Sequence, residues 1–138
     1  MAQRNRFPIP LPILVLLVAA AATIGYTALA PSATAATHPE PRAGVSAETL
    51  QPPARYASNP QIAQVYAEVA KIPQIVDGLY CNCHCAEHSG HYSLLSCFES
   101  DHGARCDICL GSAHLAYTLA LQGATLDEIR LAIDNQFG

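Results

Sequence analysis

All six cysteines fall between positions 81 and 109, as Cys81-Asn82-Cys83-His84-Cys85, then Cys97, then Cys106-Asp107-Ile108-Cys109. His84, His88, His91 and His102 share that stretch, and His114 follows it. Sulfur ligands select Cu(I), zinc or iron–sulfur centres, and imidazole extends the set for zinc and copper. Three cysteines spaced by single residues and answered by a Cys-x-x-Cys pair are therefore a signature of thiolate chemistry.

In a small exported domain the ordinary use of six cysteines is a set of disulfides. The spacing argues against that use here, because a disulfide sets its Cα atoms roughly 4.4 to 6.8 Å apart and cysteines one residue apart close a cramped ring. Cys81, Cys83 and Cys85 would each need a partner among Cys97, Cys106 and Cys109, with every bridge crowded onto a few residues of backbone. A metal relieves the crowding, since several thiolates can converge on one ion from a compact turn. Cys106 and Cys109 also stand at the expected start of a helix, where the N-terminal dipole favours a thiolate, metal-bound or reactive.

The candidate metal ligands are thus Cys81, Cys83, Cys85, Cys97, Cys106 and Cys109, with His84, His88 and His91 as the imidazoles carried with them and His102 weighed equally beside them. A loop histidine is more often solvated than ligating, so the thiolates carry the reading. His114, about a turn beyond Cys109, reads as a core or surface residue. Leu110 after Cys109 excludes the haem-attachment pattern Cys-x-x-Cys-His. No His-Glu-x-x-His, glycine-rich phosphate loop or nucleophile elbow occurs, so the residues read as a binding protein and not an enzyme, a thiol-redox pair being the one enzymatic alternative.

These residues need a scaffold and a location. Arg4 and Arg6 precede residues 7–30, which carry no charged side chain. That length exceeds the roughly 7 to 15 apolar residues of a cleaved signal and matches the about 20 that span a bilayer. Positive charge ahead of the segment favours a cytoplasmic N-terminus, so the remainder lies outside the cytoplasm. Length favours a retained single span in the cell membrane. The small residues Ala33-Thr34-Ala35 supply the alternative, a secreted or periplasmic protein after cleavage near Ala35.

All eleven acidic residues follow Ala36, whereas two of the seven basic ones lie before it, so the exported part is acidic. A nucleic-acid partner wants a basic face and is excluded. The acidity reads as a solvated surface that keeps a small domain in solution.

Residues 31–58 are rich in Pro, Ala, Thr and Ser and read as a disordered tether. Ser58-Asn59-Pro60 reads as a capped helix start, with Ile62, Val65, Tyr66 and Val69 at helical spacing and a stop near Ile72 ahead of Pro73. A short turn over 73–79 follows. Residues 80–105 read as loops with at most a short helix over 93–98. A longer helix is predicted over 107–122, with Ile108, Leu110, Leu115, Leu119 and Leu121 as its apolar surface and Gly123 as its terminator. Thr125-Leu126-Asp127-Glu128 is a capping box that opens a last helix over 126–136, burying Leu126, Ile129 and Ile133. The fold class is all-α: a small domain, residues 59–138, of three or four short helices around a Cys/His-rich loop region, preceded by an N-terminal hydrophobic helix over 1–30.

At its cysteines the chain resembles the PCYCGC proteins, a bacterial family of exported proteins named for a Pro-Cys-Tyr-Cys-Gly-Cys motif. The matching residues are Cys81, Cys83 and Cys85, then His91-Tyr92-Ser93-Leu94 leading to Cys97-Phe98, then Cys106-Asp107-Ile108-Cys109. The resemblance covers about residues 59–137. The chain departs from the motif at Tyr80, Asn82 and His84, where the family name has Pro, Tyr and Gly. Glycine there can supply a backbone conformation that His84 would be strained to adopt. The resemblance supports the domain boundaries and the cysteine set and implies no particular activity.

The residues therefore point to an extracytoplasmic protein that binds a soft metal, Cu(I) or zinc, as carrier, scavenger or sensor, tethered to the membrane by its N-terminal segment. The alternative is a disulfide-stapled module that contacts another envelope protein, and a third reading is a thiol oxidoreductase using Cys106 and Cys109. The third is disfavoured because no strand and helix alternation accompanies the pair.

Overall fold

The computed structural model describes residues 37–138. The hydrophobic segment and the small residues near Ala35 lie outside the described residues. Among the described residues every regular element is helical, and no helix is long and apolar enough to cross a membrane. The α-helices are α1 (Pro60–Val69), α2 (Pro73–Asp77), α3 (Cys85–Ser89), α4 (Asp107–Leu121) and α5 (Leu126–Phe137). Short 3-10 helices cover Ala47–Thr49, Pro53–Tyr56, Leu94–Phe98 and Gly103–Arg105.

Local chemistry explains the helix ends. The Asn59 side chain accepts from the Ile62 N–H at 3.4 Å, and Pro60 takes the first helical position, where its missing N–H is harmless. Helix α1 stops at Val69, a little before the expected Ile72. Ile72 leaves helical geometry (φ −131°, ψ 42°) because the ring of Pro73 excludes it, and Pro73 then opens α2. Thr125 caps α5 reciprocally: its hydroxyl accepts from the Glu128 N–H, and the Glu128 carboxylate accepts from the Thr125 N–H at 2.8 Å. Ile129 and Ile133 of α5 are fully buried, while Leu126 is half-buried.

The buried face of α4 differs from the expected leucine surface. Cys109, Ser112, Ala113 and Ala116 point inward, Leu110, Leu115 and Leu119 are only partly covered, and Leu121 is 70% exposed. Small side chains at helical spacing let α4 pack closely into the core, and both α1 and α5 pack against it. A short helix also forms over Cys85–Ser89, within the region expected to be loop.

The proline-rich stretch expected to be a tether is ordered against the helical body from His38 onward. His38 lies between two anchors: its Nδ1 accepts from the Tyr80 N–H at 2.9 Å, leaving Nε2 to donate to Asp134 at 3.1 Å. Arg42 grips the fully buried Asp77 with its guanidinium and its backbone N–H, both at 2.7 Å, and Arg130 donates to the Pro39 carbonyl. Val45, Leu50 and Tyr56 pack on the core. Composition misleads here because proline lowers the entropy lost on ordering, so a few polar anchors suffice.

Candidate metal centre

The Cys-x-Cys-x-Cys run is folded into a tight turn. The His84 N–H donates to the Cys81 carbonyl at 2.9 Å, and His84 takes the left-handed conformation (φ 60°, ψ 30°) that redirects the chain into α3. Cys85 opens α3, the chain reverses at Gly90, and the His91 N–H returns to the Cys85 carbonyl. The Leu94 N–H bonds the Leu79 carbonyl at 2.8 Å, pinning the Leu94–Phe98 helix beside the turn, so that Cys97 enters from between buried Leu95 and Phe98. Cys109 arrives from the first turn of α4.

His102 is positioned from α1. The buried Tyr66 hydroxyl donates to the Ser100 carbonyl at 2.9 Å and accepts from the Ala104 N–H at 3.1 Å, bracketing His102 between two fixed peptides. Burial pushes the Tyr66 phenol up, so it stays a donor. Gly103 permits the close approach, since a Cβ there would lie 3.0 Å from the Cys97 carbonyl oxygen and 3.2 Å from both the Phe98 ring and the Tyr66 hydroxyl.

Five sulfurs meet. Cys81 Sγ lies 3.2 Å from Cys83, 3.3 Å from Cys109, 3.6 Å from Cys97 and 3.7 Å from Cys85. Cys83 Sγ stands 2.9 Å from Cys85 and 3.5 Å from Cys109, and Cys85 stands 3.7 Å from Cys97. Cys81, Cys85, Cys97 and Cys109 are buried and Cys83 half-buried, and all are free cysteines. Two imidazoles close the cluster: His102 Nε2 is 3.0 Å from Cys85 Sγ, and His91 Nδ1 is 3.2 Å from Cys97 Sγ. Cys81, Cys83, Cys85 and Cys109 form one group of potential ligands, and Cys85, His91, Cys97 and His102 a second, each with its ligand atoms within 4.8 Å of one another.

Three expected ligands stay outside both groups. Cys106 is the residue before α4, in extended geometry (φ −132°, ψ 110°) and half-exposed, beside Ser100, Asp101, His102 and Arg105. The left-handed turn at His84 sends its imidazole into solvent, 3.2 Å from Glu87 and 3.4 Å from the Tyr80 hydroxyl. His88 lies on the exposed side of α3, its ring 6.2 Å from that of His102. Of the four histidines weighed, His91 and His102 are the ones brought to the cluster. The place of His102 depends on Tyr66, distant in sequence, and the only local signal is a histidine five positions after Cys97. His114 is a surface residue whose Nδ1 meets the buried Glu68 carboxylate at 2.8 Å.

The cluster is electrostatically one-sided. Hydrogen bonds from Cys109 and Cys97 hold the Cys81 thiol well below its usual range, and that same bond pushes Cys109 up. Burial raises Cys83 and Cys85, and burial together with the neighbouring His102 lowers His91, which stays neutral with a lone pair available. One thiolate is favoured among thiols. Further buried thiolates repel one another unless a cation offsets them, which is the condition under which a metal displaces protons.

A small all-helical domain whose buried thiols and imidazoles converge in this way belongs to the class of Cys/His-cluster domains that could hold a metal ion. Residues 32–138 match the family described as "Protein of unknown function with PCYCGC motif", and the chain belongs to that family. No curated protein and no solved structure matches the chain significantly.

Proposed function

We propose that the protein binds a soft metal ion, Cu(I) or zinc, as a carrier, scavenger or sensor outside the cytoplasm and not as an enzyme. The observation that carries this reading is the convergence of five free sulfurs and two imidazole nitrogens from separate stretches of chain. At a metal–sulfur distance of about 2.3 Å the edges of a sulfur tetrahedron are about 3.8 Å, so the sulfurs need only small outward movements to receive an ion. The extracytoplasmic place, and a membrane tether through residues 7–30, rest on the uncharged segment behind Arg4 and Arg6. A neighbouring envelope protein that gives or takes the ion is the corresponding partner.

The test is elemental analysis with free-thiol counting on full-length protein purified without oxygen from its native compartment. Bound copper or zinc at one or more ions per chain is expected. Six blocked thiols and no metal would end the proposal in favour of a disulfide-stapled module. An alkaline phosphatase fused to the C-terminus should be active, because that reporter folds only outside the cytoplasm.

A further inference from the structure

We infer that the centre holds two ions joined by one shared sulfur, the Cys85 thiolate. This rests on the metal-binding reading above and adds a stoichiometry and a division of ligands. Cys81, Cys83 and Cys109 complete the first ion's shell, and Cys97, His91 and His102 the second.

The donor count carries the argument. Zinc in protein sites takes about four ligands, so one ion cannot use all seven side chains gathered here. Two four-coordinate ions that share a single ligand need seven. A lone ion on the four cysteines would leave Cys97 buried and His91 and His102 aimed at the sulfurs to no purpose. A lone ion in the second group would strand Cys81, Cys83 and Cys109 in the same way.

Cys85 alone belongs to both groups. It is fully buried, 2.9 Å from Cys83 and 3.7 Å from Cys81 of the first group, and 3.7 Å from Cys97 and 3.0 Å from His102 Nε2 of the second. A thiolate has lone pairs enough for two bonds. Its position at the start of α3 fixes it, because the α3 backbone and the Cys81–His84 turn meet there.

Charge agrees with the count. Four thiolates around one divalent ion leave a buried charge of minus two, whereas five thiolates with two divalent ions leave minus one. Each thiol that becomes a ligand loses its proton to the solvent, so no oxidant or reductant is needed.

The test loads the reduced, metal-free, full-length chain without oxygen with an NMR-active cadmium(II) isotope, a soft ion that favours thiolate ligands. Two tightly bound ions per chain are expected, giving two cadmium resonances, one from an all-sulfur and one from a mixed sulfur and nitrogen environment. Mutual splitting of the two is the mark of a shared sulfur. The double variant His91→Gln with His102→Gln should keep the all-sulfur resonance and lose the other together with the splitting. One ion per chain in the unaltered protein, or two resonances without splitting, overturns the shared-sulfur arrangement and leaves metal binding standing. No bound ion overturns the metal reading itself.

Discussion

The His84 N–H donates to the Cys81 carbonyl, and this bond closes a turn whose last residue is the only non-glycine residue with positive φ among the described residues. A left-handed conformation costs an L-residue about 1–2 kcal/mol, and glycine escapes that cost while losing more chain entropy on folding. The imidazole's contact with exposed Glu87 contributes little in return. His84→Gly is therefore expected to stabilise the fold by about 0.5–1 kcal/mol, with His84→Ala showing no such gain. Thermal melts of the three proteins decide, and a glycine variant that melts below the parent would show that the Tyr80 and Glu87 contacts outweigh the strain.

Cys106 and Cys109 form one Cys-x-x-Cys pair yet have opposite surroundings, so their variants should separate. Cys109→Ser removes a buried member of the proposed ligand set and is expected to lower metal affinity by at least about a hundredfold, since even loss of a residue that only orients a ligand costs about 10–100-fold. Cys106→Ser touches a half-exposed thiol outside both ligand groups, and stability should stay within about 0.5 kcal/mol with metal content unchanged. Competition with a chromophoric chelator measures both. Equal losses from the two variants would return Cys106 to the centre.

What was legible in the sequence is what short-range chemistry decides. The Asn59-Pro60 start of α1 and the Thr125–Glu128 capping box depend on neighbours within four residues, and both appear where expected. The strain at His84 was legible too, because a histidine occupies a glycine position of the motif. The exclusion of Cys106 and the choice of His91 and His102 over His84 and His88 among four equally weighed histidines were not, since each is set by packing between segments far apart in sequence. The same holds for α4, where hydrophobicity favours the leucines but close packing against α1 and α5 buries the smaller side chains.

Asp77 is the anchor of the N-terminal stretch, and its chemistry gives a pH dependence with a definite sign. Burial alone would raise its pKa, but hydrogen bonds from Arg42 and Ser93 hold the carboxylate below its ordinary value. Arg42→Ala removes the guanidinium but keeps the backbone N–H of residue 42, leaving a buried carboxylate served by that N–H and Ser93, and is expected to cost about 1–3 kcal/mol near neutral pH. A depressed folded pKa means the contribution is complete above the unfolded value of about 3.9 and fades as pH falls through the folded one. Urea denaturation at pH 7 and pH 3 should thus show a gap between parent and variant that narrows on acidification. A gap that widens would show that Arg42 acts through packing.

On the proposed function, chelation should test the scaffold as well as the site. With Cys81, Cys85, Cys97 and Cys109 in the core beside Leu79 and Phe98, the cluster sits where a domain of this size would otherwise place apolar contacts. A ligand that binds only the folded state adds RT ln(1 + [L]/Kd), about 4 kcal/mol when free metal is 1,000 times Kd. Stripping it with a chelator under reducing conditions is expected to lower the melting temperature by well over 10 °C, with recovery on adding zinc or Cu(I). The Thr125–Glu128 cap and the Asn59 cap are made by residues within three positions of each other and use no cysteine, so α1 and α5 should persist in the metal-free chain while amide exchange accelerates over residues 81–105. A melting temperature indifferent to chelator would mean that the sulfurs contribute as ordinary buried side chains and that the core holds them without an ion.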